Sequence, residues 1–323
     1  MIKRLYIIGN GFDLHHNLKT SYYDFALYLK ENDRKLYDTL ERYISYPTSD
    51  KDLWAKFEEN LANLDAEEIL SANSNYLPDY ASEEFRDRDR YAFPDTMQQF
   101  YEMLTGGLFH DFTEFIRQVE FPANSYARKI VLDKTSTFLT FNYTETLEKL
   151  YSIDRNNIIY IHNSAKDDKI VLGHGIDPET FEEKIPEPPD DLEPEQFENW
   201  YSSNIGYDYS YDEGKKNIMQ YFKDTFKPTK EIIDNHLDFF NSLTNVEEVI
   251  VFGHSISPVD LPYFHQIVQS VKTNLKWTVS YYNGDEYKRH LRTLTDLNID
   301  HENVTLIQLA DLLEINRQLK LEL

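Results

Sequence analysis

The stretch RLYIIGNGFDLHHNLKTS, residues 4–21, decides the fold of this chain. Its apolar run, residues 5–8, is too short for a helix and stops at Gly9-Asn10-Gly11, a pattern typical of a buried strand in a parallel sheet. We expect the next helix only after Ser21, where YYDFALYLK has helical character. Nucleotides bind just past the carboxyl end of the first strand in such sheets, so the sequence indicates a nucleotide site at this turn.

The glycine turn is an incomplete version of the known phosphate-binding motifs. The dinucleotide fingerprint requires a third glycine at position 14, where this chain has Leu14, and no Gly-Lys-Ser/Thr follows to form a phosphate loop. Gly9 and Gly11 alone are equally consistent with a tight turn that binds nothing. The polar run Asp13-Leu14-His15-His16 directly behind the turn favours a functional site.

Composition limits the class of protein. The chain has 323 residues, 41% hydrophobic and 15% aromatic, enough for a substantial core in one large or two modest domains. A formal charge of -24 disfavours a broad nucleic-acid-binding surface, which needs clustered Lys and Arg. Zero cysteines exclude disulfides, thiolate catalysis and cysteine-bound zinc, and fit a reducing cytosol. Since the sequence has no signal-peptide core and no membrane-spanning apolar run, we predict a cytoplasmic protein without membrane contact.

Short apolar runs alternate with helical segments, which predicts an α/β fold with a doubly wound, mostly parallel, Rossmann-like sheet. After the first strand, these runs are TFLTF, NIIYIH, KIVLGHG, EEVIVF, KWTVSYY and VTLIQL. The predicted core comprises residues 1–33 and 131–323, with a helical insertion over residues 34–130 that includes DLWAKFEENLANL. Within the core, residues 178–213 are predicted to be an acidic, proline-rich loop or lid.

Polar residues follow several of the predicted strands. Asn142 stands at the carboxyl end of one strand, and His162 and His174 end the next two. Gly253-His254-Ser255 follows a later strand, and Asp260 opens the helix after it. Asn142 also has a simpler explanation, because asparagine is common in turns. Because the carboxyl ends of parallel strands share one edge, we expect these groups to converge on one crevice with the first turn.

Five sequence blocks together resemble one protein family over nearly the whole chain. They are IIGNGFDLHHNLKTSY, LWAKFEENL, TFNYTETLEKLY, LGHG and VFGHSISPVDLPYF, in this order. The family they resemble is the bacteriophage abortive infection AbiH family. This resemblance implies a bacterial antiphage role, in which an infected cell stops growing or dies before phage can multiply. It leaves the chemistry open.

A more distant resemblance, to sirtuin-like NAD-binding domains, bears on that chemistry. Gly9-Asn10-Gly11 is similar to the Gly-Ala-Gly turn of those domains, and Thr140-Phe141-Asn142 to their Thr-x-Asn-x-Asp block. His162 is similar to the histidine of their His-Gly pair, and Gly253-His254-Ser255 to their Gly-Thr-Ser turn. The resemblance implies that the glycines and Ser255 hold phosphates and ribose, with Asn142 and His162 beside the nicotinamide ribose.

This chain departs from the sirtuin pattern at several positions. Thr144 replaces the Asp of the second block, Asn163 replaces the Gly of the third, and Asp13 stands where a serine is expected. The zinc cysteines of protein-deacylating sirtuins have no counterpart here. These departures disfavour protein deacylation and leave simple hydrolysis of the nucleotide.

The leading hypothesis is therefore that NAD is hydrolysed as a substrate, with no cofactor and no metal. We assign Asp13 as the carboxylate that stabilises the ribose cation, Asn142 as the group that orients ribose or water, and His162 as the general base. The predicted nucleotide-binding residues are Gly9, Asn10, Gly11, Phe12, Tyr143, His174, Gly253, His254, Ser255 and Asp260.

Two alternatives stay open at this point. One is a nuclease that acts on RNA or DNA during infection, with Asp13, His15, His174, His254 and Asp260 as acid–base or metal-binding groups. The other is a nucleotide-sensing module without turnover. As partners, the sequence leaves open a phage trigger, a neighbouring regulatory protein and a second copy of the chain.

Overall fold

The computed structural model describes residues 3–44, 50–167, 169–183, 187–189, 192–204 and 208–313. Within these ranges, six strands form one parallel sheet in the order β3-β2-β1-β4-β5-β6. This confirms the prediction of a doubly wound α/β fold. The strands are β1 Arg4–Ile8, β2 Thr137–Thr140, β3 Ile158–Tyr160, β4 Glu248–Phe252, β5 Lys276–Ser280 and β6 Val304–Ile307.

Both faces of the sheet are buried, which explains why its strands are continuous apolar runs. On β1, Leu5 and Ile7 point into one core cluster, whereas Tyr6 and Ile8 point into the other. Helices on the first face contribute Ile233, Phe264, Leu294 and other apolar side chains. On the second face, Phe12, Leu147 and Leu150 pack against the strands. The sheet is therefore enclosed on both sides, as in other doubly wound folds.

The chain divides into two compact units. The sheet unit comprises residues 1–32, 110–175 and 227–323, and the helical unit comprises residues 33–109 and 176–226. The sheet unit contains helices Asn10–His15, Tyr22–Asn32, Ala123–Tyr126, Thr146–Tyr151, Thr229–Asn235, Leu237–Ser242, Leu261–Ser270 and Gly284–Asp296. Helices in or beginning in the helical unit are Arg34–Tyr43, Asp50–Ala55, Phe57–Asn60, Ala66–Ala72, Ala92–Glu102, the π-helix Met103–Gly107, Leu108–Arg117, Pro194–Asn204, Tyr209–Met219 and Tyr221–Asp224.

The helical unit differs from the predicted insertion over residues 34–130. It is built from two segments, and the second of them contains the whole acidic stretch 178–213 that we predicted as a loop or lid of the core. That stretch is also not purely a loop, because it contains the helix Pro194–Asn204. Residues 184–186, 190–191 and 205–207 of the stretch lie outside the described residues.

Two local predictions were wrong. The first helix begins at Asn10 and not after Ser21, because Gly9 is extended and its carbonyl accepts a hydrogen bond from Phe12 N. The predicted strand over residues 169–175 does not join the sheet. That segment folds back onto the end of β3, with Val171 N donating to His162 O at 2.9 Å, so this N–H is not available to a neighbouring strand. Among the described residues, no helix is both long and apolar enough to cross a membrane.

Candidate functional site

The two glycine turns meet at the centre of the sheet, where the strand order reverses between β1 and β4. Gly11 N donates to Gly253 O at 2.7 Å, so the two turns are hydrogen-bonded. A Cβ on Gly9 would lie 2.5 Å from His254 Cα, and a Cβ on Gly11 would lie 2.8 Å from Gly253 O. Close packing therefore accounts for these glycines. Their position matches the place where doubly wound sheets bind dinucleotides.

Asp13 lies on the first helix with its carboxyl group almost fully buried. Its Oδ2 accepts a hydrogen bond from the Thr144 hydroxyl at 2.5 Å, and Thr144 contacts Thr146 in turn. Burial raises the pKa of Asp13 to about 6, although Thr144, Thr146 and Asn142 act to lower it. No hydrogen bond from the described residues reaches Asp13 Oδ1.

Asn142 and His162 bring further polar atoms to the same edge of the sheet. Asn142 follows β2 and is buried. Its amide lies near enough to Asp13 to lower the pKa of that carboxyl, but neither Oδ1 nor Nδ2 reaches hydrogen-bond geometry with any group in the described part of the chain. His162 follows β3, and within that part its Nε2 also lacks a hydrogen bond. Burial, reinforced by the nearby Lys227 cation, lowers the pKa of His162 well below 6.5. The imidazole is therefore neutral at pH 7.

Asp260 is the centre of a second polar group. Its Oδ1 lies 3.3 Å from Lys227 Nζ and 3.8 Å from His162 Nε2. Its Oδ2 lies 3.6 Å from His254 Nε2 and accepts a hydrogen bond from the Ser257 hydroxyl at 3.1 Å. Burial acts to raise the pKa of Asp260, but Lys227 and the two histidines lower it more, to about 2. The carboxylate is therefore ionised at every physiological pH.

Phe141 lies between the ends of the central strands and contacts both histidines of this group. Its ring centroid is 5.1 Å from that of His162 and 4.3 Å from that of His254. Burial lowers the pKa of His254 to about 4, so this ring is also neutral at pH 7. Ile256 N donates to His254 Nδ1 at 2.9 Å, which assigns the remaining ring proton to Nε2, facing Asp260.

The structure brings all three predicted catalytic residues to one edge, in two groups. Asp13 and Asn142 belong to the group around Thr144, and His162 belongs to the group around Asp260. Tyr143 lies between Asn142 and Thr144 in the chain, its ring stacks 6.3 Å from His162, and its hydroxyl donates to Val171 O.

Three other predicted nucleotide-binding residues are held by contacts within the protein, and a fourth is exposed. The Asn10 side chain is hydrogen-bonded to Thr20, through the Thr20 hydroxyl and carbonyl. Phe12 is wholly buried in the core on the second face of the sheet. His174 is buried, and its carbonyl accepts from Lys227 N at 2.8 Å. Ser255 is exposed to solvent.

The residues proposed for a nuclease do not form a single group. His15 Nε2 contacts the carbonyl of Arg128 at 3.0 Å, and no contact joins it to His254 or Asp260. Among residues that the structure describes, no three His, Asp or Glu side chains are arranged to hold a metal ion.

Lys227 is the main site residue that the sequence did not reveal. It stands before Pro228 between two helices, where a lysine normally lies in solvent, yet its side chain is fully buried. Thr146, Phe141 and Ser257 were also missed as parts of these groups. The only available signal was their position, one to four residues from a predicted site residue.

Asp13→Asn is expected to stabilise the fold in a pH-dependent way. The pKa of Asp13 rises from 3.8 to about 6 on folding, so the ionised carboxylate destabilises the folded chain. This penalty is complete above pH 6 and disappears as the pH falls towards 3.8. We expect the variant to gain up to about 3 kcal/mol at pH 8 and nothing near pH 4. Urea unfolding at pH 8 and at pH 4 measures the difference in free energy of unfolding between the variant and wild-type protein. The exposed Asp234→Asn is the control, and an equal gain at both pH values would contradict the prediction.

The chain also matches a known protein family. A family model described as bacteriophage abortive infection AbiH matches residues 5–281. No curated protein matches the chain. The matched range includes all the site residues described above.

Proposed function

The chain belongs to the bacteriophage abortive infection AbiH family, and from that premise we propose that it acts in antiphage defence by hydrolysing NAD. The reaction cleaves the bond between nicotinamide and ribose. Loss of NAD stops the metabolism of an infected cell, which agrees with a defence that sacrifices the cell before phage multiplies.

One observation carries this proposal. Asp13, Asn142 and His162 are buried beside the switch point of a 3-2-1-4-5-6 sheet, and in the described part of the chain each keeps a polar atom without a hydrogen bond. Buried polar groups without partners cost about 1–3 kcal/mol each. These residues lie where dinucleotides bind in doubly wound sheets, so a bound ligand would supply the missing hydrogen bonds.

The electrostatics of these residues suit cleavage of a glycosidic bond. Nicotinamide leaves with the bonding electrons, so positive charge develops on the ribose. With a pKa of about 6, Asp13 is mostly ionised at neutral pH and stabilises this charge in a site of low dielectric constant. The Asn142 amide orients the ribose hydroxyls, and neutral His162 accepts a proton from water.

The test is the release of nicotinamide from NAD by the purified protein. We expect Asn142→Ala and His162→Ala each to lower the rate by roughly 100-fold or more, because each removes a group that contacts the reacting atoms. The exposed Asn245→Ala is the matched control, with wild-type activity. Circular dichroism establishes that each variant is folded.

Two results would reject the proposal. One is equal release by wild-type protein and both variants, which would remove the assigned residues from the chemistry. The other is tight binding of NAD or ADP-ribose without any product, which would identify a nucleotide-sensing module. Cellular NAD and RNA integrity, followed together after phage infection, distinguish NAD hydrolysis from nuclease activity in the cell.

A further inference from the structure

The His162 ring and the Asp260 carboxylate lie side by side without a hydrogen bond between them. His162 Nε2 lies 3.8 Å from Asp260 Oδ1, which is too long for a hydrogen bond. The Phe141 backbone carbonyl lies close enough to the His162 ring to favour a proton on it. We assign this influence to Nδ1, since Nε2 is the nitrogen that faces Asp260. The proton then lies on Nδ1, and Nε2 presents a lone pair to the carboxylate.

Two acceptors 3.8 Å apart leave no room for a water on the line between them, but one water beside them can reach both at hydrogen-bond distance. A water molecule carries two protons, and one could go to His162 Nε2 and the other to Asp260 Oδ1. Both acceptors are fixed: Ser257 and Lys227 hold the Asp260 carboxylate, and the Phe141 ring packs edge-to-face against the His162 ring. A water held in this way has its oxygen lone pairs free to attack.

We propose that His162 Nε2 and Asp260 Oδ1 together bind the water that captures the ribose, which makes Asp260 a catalytic residue and Lys227 its positioning residue. This inference rests on the proposed hydrolysis of NAD. The bond between nicotinamide and ribose C1′ breaks, and its electron pair leaves with nicotinamide. The water oxygen then bonds to C1′, and its proton passes to His162 Nε2 and on to solvent. Neither oxidation nor reduction occurs.

The surrounding charges agree with this role. The groups whose charges act on His162 are Lys227, Asp260 and His254. Lys227 and His254 disfavour a protonated His162, which keeps the base free before reaction, and Asp260 stabilises the imidazolium once the proton has been taken. His254 keeps its Nε2 proton towards Asp260 Oδ2, so it does not compete for the water.

The experiment separates capture of water from cleavage of the bond. Exchange of labelled nicotinamide into NAD requires cleavage but no water, whereas formation of ADP-ribose requires both. We expect Asp260→Asn to lower ADP-ribose formation by roughly 100-fold and to lower exchange by less than about threefold, because Asp13 and Asn142, which are assigned to cleavage of the bond, stay in place. Asp260→Asn leaves Lys227 without its carboxylate, so a second variant, Asp260→Asn with Lys227→Gln, removes both charges. The exposed Asp296→Asn is the matched control.

Each outcome decides the proposal. Loss of hydrolysis with retained exchange, in either Asp260 variant, supports the water site. Equal loss of both reactions in a folded variant assigns Asp260 a structural or binding role and overturns it, as does undiminished hydrolysis. If wild-type protein performs neither reaction, the proposed NAD hydrolysis fails and the water site fails with it.

Discussion

Replacing Gly253 by alanine is expected to prevent the sheet unit from folding, with a loss of more than about 4 kcal/mol in the free energy of unfolding. Gly253 has a φ of +64°, a left-handed conformation that costs a residue with a Cβ about 1–2 kcal/mol. An alanine Cβ would also lie 1.9 Å from Phe12 N and 2.4 Å from Gly11 C. These backbone atoms cannot withdraw without breaking the hydrogen bond from Gly11 N to Gly253 O.

The measurement is the yield of soluble protein, followed by circular dichroism and urea unfolding. Gly284→Ala is the matched control, because a Cβ there meets no atom within 4 Å and Gly284 opens a helix. We expect that variant to be as stable as wild-type protein or slightly more stable, since alanine favours helix. A folded Gly253→Ala protein with wild-type stability would mean that the two turns do not pack as described.

The two glycine turns show why sequence alone leaves a site ambiguous. A glycine that lets a ligand approach the backbone and a glycine that lets two turns pack together look identical in the sequence. Here the Cβ positions of Gly9 and Gly11 are occupied by the turn at Gly253 and His254. That contact joins residues far apart in the chain, so no local pattern could have revealed it.

The fold class was predictable because local periodicity determines it. The buried strands, such as β1 and β4, are short apolar runs that end in glycine turns. The strand order was not predictable, since it depends on pairing between distant segments. Residues 169–175 are an exception, because their apolar pattern matches a strand but their backbone is hydrogen-bonded to the end of β3 instead of joining the sheet.

The site residues that directly follow a strand could be predicted from the sequence. Asn142 and His162 follow neighbouring strands, and Asp260 follows β4, so topology alone brings them to one edge. Lys227 follows no strand and stands in no periodic segment. Its burial depends on the charge of Asp260, and such a pairing between distant residues leaves no mark in the sequence of either segment.

Lys227→Met is expected to lower the free energy of unfolding by about 3–5 kcal/mol at pH 7, because it leaves the mostly buried Asp260 carboxylate without its cation. Methionine fills a similar volume, so the effect measures the lost charge more than a cavity. The exposed Lys272→Met, also in the sheet unit, is the control and should change stability by less than about 0.5 kcal/mol.

A double-mutant cycle with Asp260→Asn tests the cause. The pKa of Asp260 is lower in the folded chain than in the unfolded chain, so its ionised form stabilises the fold above pH 3.8, and this contribution is lost as the pH falls towards 2. In Lys227→Met that contribution shrinks, because the cation mainly responsible for it is gone. Adding Asp260→Asn removes the uncompensated charge and should therefore recover part of the lost stability. Purely additive losses in urea unfolding at pH 7 would show that the two residues stabilise the fold independently, and the group around Asp260 would then not be held together by its charges.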